Sequence, residues 1–136
     1  DSKDKFKIVA QQDGGAALDK SMELAEDIIT ATPDLDAFFC INDPSALGAA
    51  AAIKAANKTG KIGVYSIDAS PDGKQALLDG EFTAVACQVP VQIAEYSFNE
   101  AVKYVNGDTK IDEKKVYLDS HLVLKDEAEK TLKEWQ

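Results

Sequence analysis

The chain has 136 residues, 45% hydrophobic and 29% charged, a balance that describes a globular domain with one sizeable core and excludes a disordered or fibrous chain. Its 15 Lys and Arg stand against 24 Asp and Glu, a formal net charge of −9. Such a surface repels phosphate backbones and anionic lipid, so neither nucleic acid nor a membrane surface is expected as the main partner.

The chain opens on Asp1 rather than an initiator Met, and is expected to be part of a longer gene product. Phe6-Lys7-Ile8-Val9-Ala10 reads as a short strand that stops at the polar turn Gln11-Gln12-Asp13-Gly14-Gly15. Leu18, Met22, Leu24, Ala25, Ile28 and Ile29 then recur at three- and four-residue spacings until Thr32-Pro33-Asp34, which predicts an amphipathic helix. Asp36 to Ile41 is apolar enough for a strand covered on both faces. After it, Asp43 is the expected cap of a helix whose first residue is Pro44, and the Ala-rich run to about Asn57 suits close packing on a sheet. This run is broken by Lys54 and is too short to span a bilayer.

A third strand over Ile62–Ile67 stops at Asp68 and leads through Ala69-Ser70-Pro71-Asp72-Gly73 into a short helix closed by Asp79-Gly80-Glu81. A fourth strand, Phe82–Cys87, ends at Gln88, and Pro90 opens a helix that Asn106-Gly107 stops. In the tail, Val116–Leu118 and Leu122–Leu124 read as extended, and Lys125 begins a charged helix ending near Trp135. Strand-then-helix units repeated with short turns imply right-handed crossovers, hence an α/β fold with an open parallel sheet and helices on both faces.

The polar residues that follow each strand are Gln11-Gln12-Asp13, Asn42-Asp43, Asp68 and Gln88. In a parallel sheet they gather along one edge, the carboxyl edge where ligands bind. Amides and carboxylates there suit a neutral, hydroxyl-rich ligand, each neutral bond contributing about 0.5–1.5 kcal/mol net and each charged one about 1.5–3 kcal/mol. Catalysis is not expected. His121 is the one histidine, with no nucleophile near it in sequence, and reads as a surface or structural residue. There is no Gly-x-Ser-x-Gly elbow, and Gly60-Lys61-Ile62-Gly63 lacks the spacing and the Lys-Ser/Thr ending of a phosphate loop. Asp72 reads as a helix-entry residue, and no His or Cys completes a metal site with Asp68, so neither metal nor cofactor is expected. Cys40 and Cys87 lack Cys-x-x-Cys spacing and read as buried free thiols, although export would permit them to pair.

The series Thr32-Pro33-Asp34, Phe39-Cys40-Ile41-Asn42-Asp43, Ala46-Leu47-Gly48-Ala49, Ser66-Ile67-Asp68-Ala69-Ser70-Pro71-Asp72-Gly73, Asp79-Gly80-Glu81-Phe82-Thr83-Ala84 and Gln88 resembles the ribose-binding-like periplasmic sugar-binding proteins of ABC transporters over about residues 6–124. The resemblance implies that Asn42, Asp68 and Gln88 bind sugar hydroxyls, with Asp43 as the helix cap. It implies a small sugar as ligand, a membrane permease as partner and an extracytoplasmic location. It also implies that the chain is one lobe of two, the C-terminal one, with residues 6–89 forming sheet and crossover helices and 107–136 a tail. The helix over 90–106 would pack on the missing N-terminal lobe; in the isolated chain it is expected either to form a homodimer or to fold back onto the sheet. The aromatic ring that ribose binders carry after the first strand is replaced by Gly14-Gly15-Ala16-Ala17, which leaves the sugar open. Related LacI-type transcription regulators share the Asn-Asp and strand-end Asp features and give the alternative of a cytoplasmic effector-binding half.

Overall fold

Small side chains allow backbones to approach, and the Ala-rich segment uses this on two sides. In the computed structural model, which describes residues 5–108 and 116–135, it forms helix α2 (Asp43–Ala55), after helix α1 (Leu18–Ala31) and strand β1 (Ala37–Phe39). Ala46, Ala49, Ala50, Ala52 and Ile53 of α2 are buried. At Gly48 a Cβ would collide with the backbone of α1 at Leu18 and Met22, so only glycine permits this crossing. Strand β2 (Gly63–Asp68), helix α3 (Pro71–Leu78), strand β3 (Ala84–Cys87), helix α4 (Pro90–Val105), strand β4 (Leu122–Val123) and helix α5 (Lys125–Lys130) complete the order.

The sheet runs β1-β2-β3-β4. The β1–β2 and β2–β3 pairs are parallel, with Phe39 opposite Tyr65 and Asp68 opposite Cys87. The α/β reading holds, with one difference: β4 returns antiparallel to β3, Val85 opposite Val123. Val64, Val85 and Val123 are fully buried on the face that α2 and α3 cover, each contributing about 1.5–3 kcal/mol by leaving water. The opposite face carries Phe39, 72% exposed, and the exposed Tyr65 and Leu122. The expected cover of helices on both faces is therefore met on one face among the described residues, and β1 is half-open rather than buried on both sides.

Residues 6–10 form no strand, and all five are exposed. An extended segment needs a ladder partner, and no described strand pairs with it. The C-terminal helix also stops earlier than expected, at Lys130. The turn after it is held by Lys74 of α3, whose buried ammonium donates to the Thr131 carbonyl at 2.8 Å and the Glu134 carbonyl at 2.6 Å. Burial pulls the Lys74 pKa down, and the nearby Glu127 and Glu134 hold it up. Helix α4 contains no buried residue, so it does not fold back onto the sheet. Part of the expected tail, residues 109–115, lies outside the described residues.

Candidate functional site

Two short helices start at the carboxyl edge of the sheet, and their first turns bring the strand-end side chains together. Helix α2 begins at Asp43, one residue earlier than its sequence suggests, and the cap is Asn42 rather than Asp43. The Asn42 Oδ1 accepts from Ser45 N at 3.0 Å, and its Nδ2 donates to the Ala16 carbonyl at 3.2 Å. The asparagine thereby joins the α2 start to the loop before α1. It keeps one amide hydrogen and one lone pair for a further partner.

Asp43 turns inward instead. It is 1% exposed, and its carboxylate accepts from Ser66 Oγ at 2.6 Å, Ser70 N at 2.8 Å and Ser70 Oγ at 2.6 Å. Ser70 is in turn the cap of α3, its Oγ accepting from Gly73 N at 3.1 Å. A Cβ on Gly73 would fall inside the Asp43 carboxylate, so glycine is required at that position for packing. One buried carboxylate thus locks β2 and the starts of α2 and α3 into a single unit. The sequence had marked Asp43 only as a cap; the serines at 66 and 70 were the signal, spaced so that both face one acceptor.

Against this unit lies Asp68, half-buried at the end of β2. Its Oδ2 accepts from Asp43 N at 3.2 Å and its Oδ1 from Gln88 Nε2 at 2.7 Å, while Gln88 N donates to the Asp68 carbonyl at 3.1 Å. Partial burial pushes the Asp68 carboxyl above its ordinary value and the neighbouring Asp43 charge adds to that, whereas the bonds from Asp43 N and Gln88 oppose it. Asp68 and the following Ala69 sit at positive φ, 132° and 57°. Each such non-glycine backbone costs about 1–3 kcal/mol and persists where surrounding contacts enforce it, a pattern common at binding sites.

The structure therefore brings Asn42, Asp68 and Gln88 to one rim, linked through Asp43 N. Asp13, from the loop after the first apolar run, bonds its own turn at Gly15 N and is exposed. Beside the rim, where the chain leaves β3 for α4 and returns toward β4, an open cleft of about 530 Å³ is lined by Gln88, Ile93, Tyr96, Ser97 and Tyr117 among others. No cluster of metal-binding side chains occurs among the described residues, and none of their helices is long and apolar enough to cross a membrane. Both cysteines are free, Cys40 half-buried and Cys87 buried.

One polar group lies outside the rim and was not foreseen. His121, distant from any nucleophile in sequence, sits with Nδ1 at 3.2 Å from Cys87 Sγ and Nε2 at 2.8 Å from Glu127 Oε1. Only the pairing of β3 with β4 creates this contact.

A parallel three-strand core, helices seated on it and polar residues at its carboxyl edge define an α/β lobe of the open-sheet kind, in which that edge is the usual place for a ligand. The sequence matches the periplasmic binding protein domain over residues 1–109, and the chain belongs to that family, one of binding proteins rather than of enzymes. It is 35% identical over 104 residues to the ribose import binding protein RbsB of Escherichia coli strain K12, covering 76% of this chain and 35% of that protein. To the D-ribose/D-allose-binding protein of Pseudomonas aeruginosa it is 34% identical over 109 residues, covering 80% and 34%. The chain thus spans about a third of the length of these curated relatives. Among solved structures, a galactofuranose binding protein superposes with a TM-score of 0.86 at 33% identity, over 96% of this chain and 46% of that one. The myo-inositol binding protein of Caulobacter, bound to myo-inositol, gives 0.82 at 27% identity, over 92% and 43%.

Proposed function

We propose that the chain is the sugar-gripping lobe of an ABC-importer solute-binding protein, in which Asn42, Asp68 and Gln88 bond ligand hydroxyls and a second lobe closes from the other side. The observation that carries this reading is the hydrogen-bonded rim itself. Asp68 presents two acceptors already aligned by Asp43 N and Gln88, and Asn42 keeps a free donor and acceptor beside them. A pre-aligned set of flat polar groups spends little entropy on ordering when a polyol arrives. The relatives that bind ribose, allose and myo-inositol favour a monosaccharide or cyclic polyol as ligand, and transport over transcriptional regulation.

In the same reading the protein works outside the cytoplasm, delivers ligand to a membrane permease, carries no cofactor and performs no catalysis. Helix α4 is the surface for the second lobe: Val91, Phe98, Val102 and Val105 are exposed along it, and an apolar stripe of this kind seeks burial. In the chain by itself, the same stripe pairs two copies.

The test is isothermal titration with ribose, allose, galactofuranose and myo-inositol, using this chain and a form joined to a second lobe. The two-lobed form binds one of them tightly, and the chain alone binds it at least about a hundredfold more weakly because half the contacts and the exclusion of water are missing. In the two-lobed form, Asp68→Ala and Gln88→Ala each weaken binding by about tenfold or more. Equal affinity in both forms refutes the two-lobe grip, and full retention of binding in both substitutions refutes the rim. Light scattering reads the α4 pairing: a dimer that Val102→Glu converts to a monomer is expected, and a monomer at all concentrations refutes it.

A further inference from the structure

The sheet ends on one side at β1, and the outer edge of that strand is bare. Gly63 N donates to the Asp36 carbonyl at 2.8 Å and Cys40 N to the Tyr65 carbonyl at 2.8 Å, so Asp36, Phe38 and Cys40 turn their backbone groups toward β2. The alternation of a parallel ladder then turns the N–H and C=O of Ala37 and Phe39 outward, where no described strand meets them. Phe39 and Ile41 are exposed beside this edge. A second bare backbone lies in the same lobe. Residues 6–10 have the composition of a strand, yet none of their backbone groups is bonded to a described residue, and Phe6 and Ile8 are exposed. Unpaired backbone beside apolar side chains is a template for a further strand.

We propose that an extended apolar segment of a second polypeptide docks here as an added strand, parallel to β1, with β1 on one side of it and residues 6–10 on the other. The polarity follows from a tether. Asn42, just past β1, holds the Ala16 carbonyl at 3.2 Å, so the turn that closes the 6–10 segment is seated at the carboxyl end of β1. The chemistry of the occupant follows from its neighbours. A strand flanked on both sides in a parallel sheet is a continuous run of Val, Ile and Leu, and its open-face side chains meet Phe39, Ile41 and Tyr65, all exposed in the lobe alone. At the amino end of β1, Asp34 and Asp36 are exposed and form no ion pair among the described residues; the nearby Lys58 donates to the Pro33 carbonyl at 3.0 Å. A basic residue at the start of the incoming strand complements these two carboxylates.

A second copy of this chain does not fit the gap. The run it would offer, residues 6–10, carries Lys7 between Phe6 and Ile8, and a strand enclosed on both sides leaves an ammonium without solvent or partner. The edge is also separate from the sugar rim and from α4, so its occupancy is read without sugar and without a second lobe.

The probe is a fluorescein-labelled peptide of one lysine followed by alternating valines and isoleucines, titrated with the chain and followed by fluorescence anisotropy. Saturable binding is expected, with equal affinity for the Val102→Glu form, since α4 takes no part. A peptide with proline at alternate positions binds about tenfold more weakly or worse, having lost ladder donors, and a peptide led by glutamate binds about threefold more weakly or worse. On the protein, Ile8→Pro and Phe39→Pro each weaken binding about tenfold; the second removes an outward donor and leaves the β1–β2 ladder in place. Both are first checked for an unchanged urea midpoint, and Phe39→Ser serves if Phe39→Pro alters the fold. Hydrogen exchange followed by NMR gives the register: the amides of Ala37 and Phe39 gain about tenfold protection or more with the peptide, while those of Phe38 and Cys40, already bonded to β2, change little. The proposal is overturned by absence of saturable binding, by equal affinity for either altered peptide, by loss of binding in Val102→Glu, by folded variants at residues 8 and 39 that bind as the parent does, or by unchanged exchange at Ala37 and Phe39. A dimer of the Val102→Glu form that Ile8→Pro abolishes would put a second copy in the gap and overturn it equally.

Discussion

Where β2 ends, both carboxylate oxygens of Asp43 are occupied by donors from Ser66 and Ser70; on the open side of the same sheet, Phe39 and Tyr65 lie in register and exposed. The two regions share β2, with Ser66 on one face and Tyr65 on the other, and are governed by different physics. A buried carboxylate has to satisfy its own hydrogen bonds within the lobe or not be buried at all, and here every donor comes from residues 66–70. Apolar surface has no such directional requirement. It waits for any complementary surface, and α2 and α3 supply one on a single side. The polar end is consequently complete within the lobe, while the open face and α4 remain surfaces on which another partner can be built.

The sharpest way to break this contrast is Asp43→Ala, which strands Ser66 Oγ and the Ser70 backbone N–H and unhinges the starts of α2 and α3. A loss of about 3 kcal/mol or more is expected in urea unfolding, since bonds to a buried charge are worth about 1.5–3 kcal/mol each and do not add fully. A loss under 1 kcal/mol would show that the web is not cooperative. The two faces of the sheet are compared directly by Val85→Ala and Phe39→Ser. The first removes two buried methyl groups and costs about 2 kcal/mol, whereas the second stays within about 0.5 kcal/mol. Similar costs for the pair would mean that the Phe39 face is covered in solution.

A smaller effect separates the rim from the web through pH. The Asp68 carboxyl is raised by burial, so the folded state holds its proton more tightly than the unfolded one. Its contribution is fully present below the ordinary carboxylate value and is lost as pH rises through the raised folded value. Urea midpoints measured across that window should fall with rising pH, and Asp68→Asn should flatten this part of the curve; an unchanged slope contradicts the assignment. The smallest effect is Lys54→Ala. Its 3.2 Å pair with Glu81 involves a lysine side chain 73% exposed, and such pairs contribute about 0–1 kcal/mol, less at high salt.

Much of the carboxyl edge was legible before any coordinates. Asn42, Asp68 and Gln88 each follow an apolar run that stops abruptly, and parallel strands leave such stops on one side. The start of α4 at Pro90 was equally plain and that of α2 was placed to within one residue by Pro44, because proline tolerates the first turn and little else of a helix. What escaped notice was pairwise. The inward turn of Asp43 depends on two serines 23 and 27 residues away, and the His121 contact depends on β4 pairing with Cys87 at a separation of 34 residues. The run Phe6–Ala10 shows the converse error, since strand-like composition does not provide a neighbouring strand.

Local pattern determined the α/β class, the approximate extents of α1 to α4 and the identity of the polar residues at the strand ends, because spacing, proline and chain-breaking turns act within a few residues. Tertiary structure alone decided which side chain caps and which is buried, which face of the sheet is covered, and that a histidine in the tail meets a cysteine from the sheet. Those outcomes rest on contacts between residues far apart along the chain, where the only determinant is which surfaces remain to be filled once the local elements have formed.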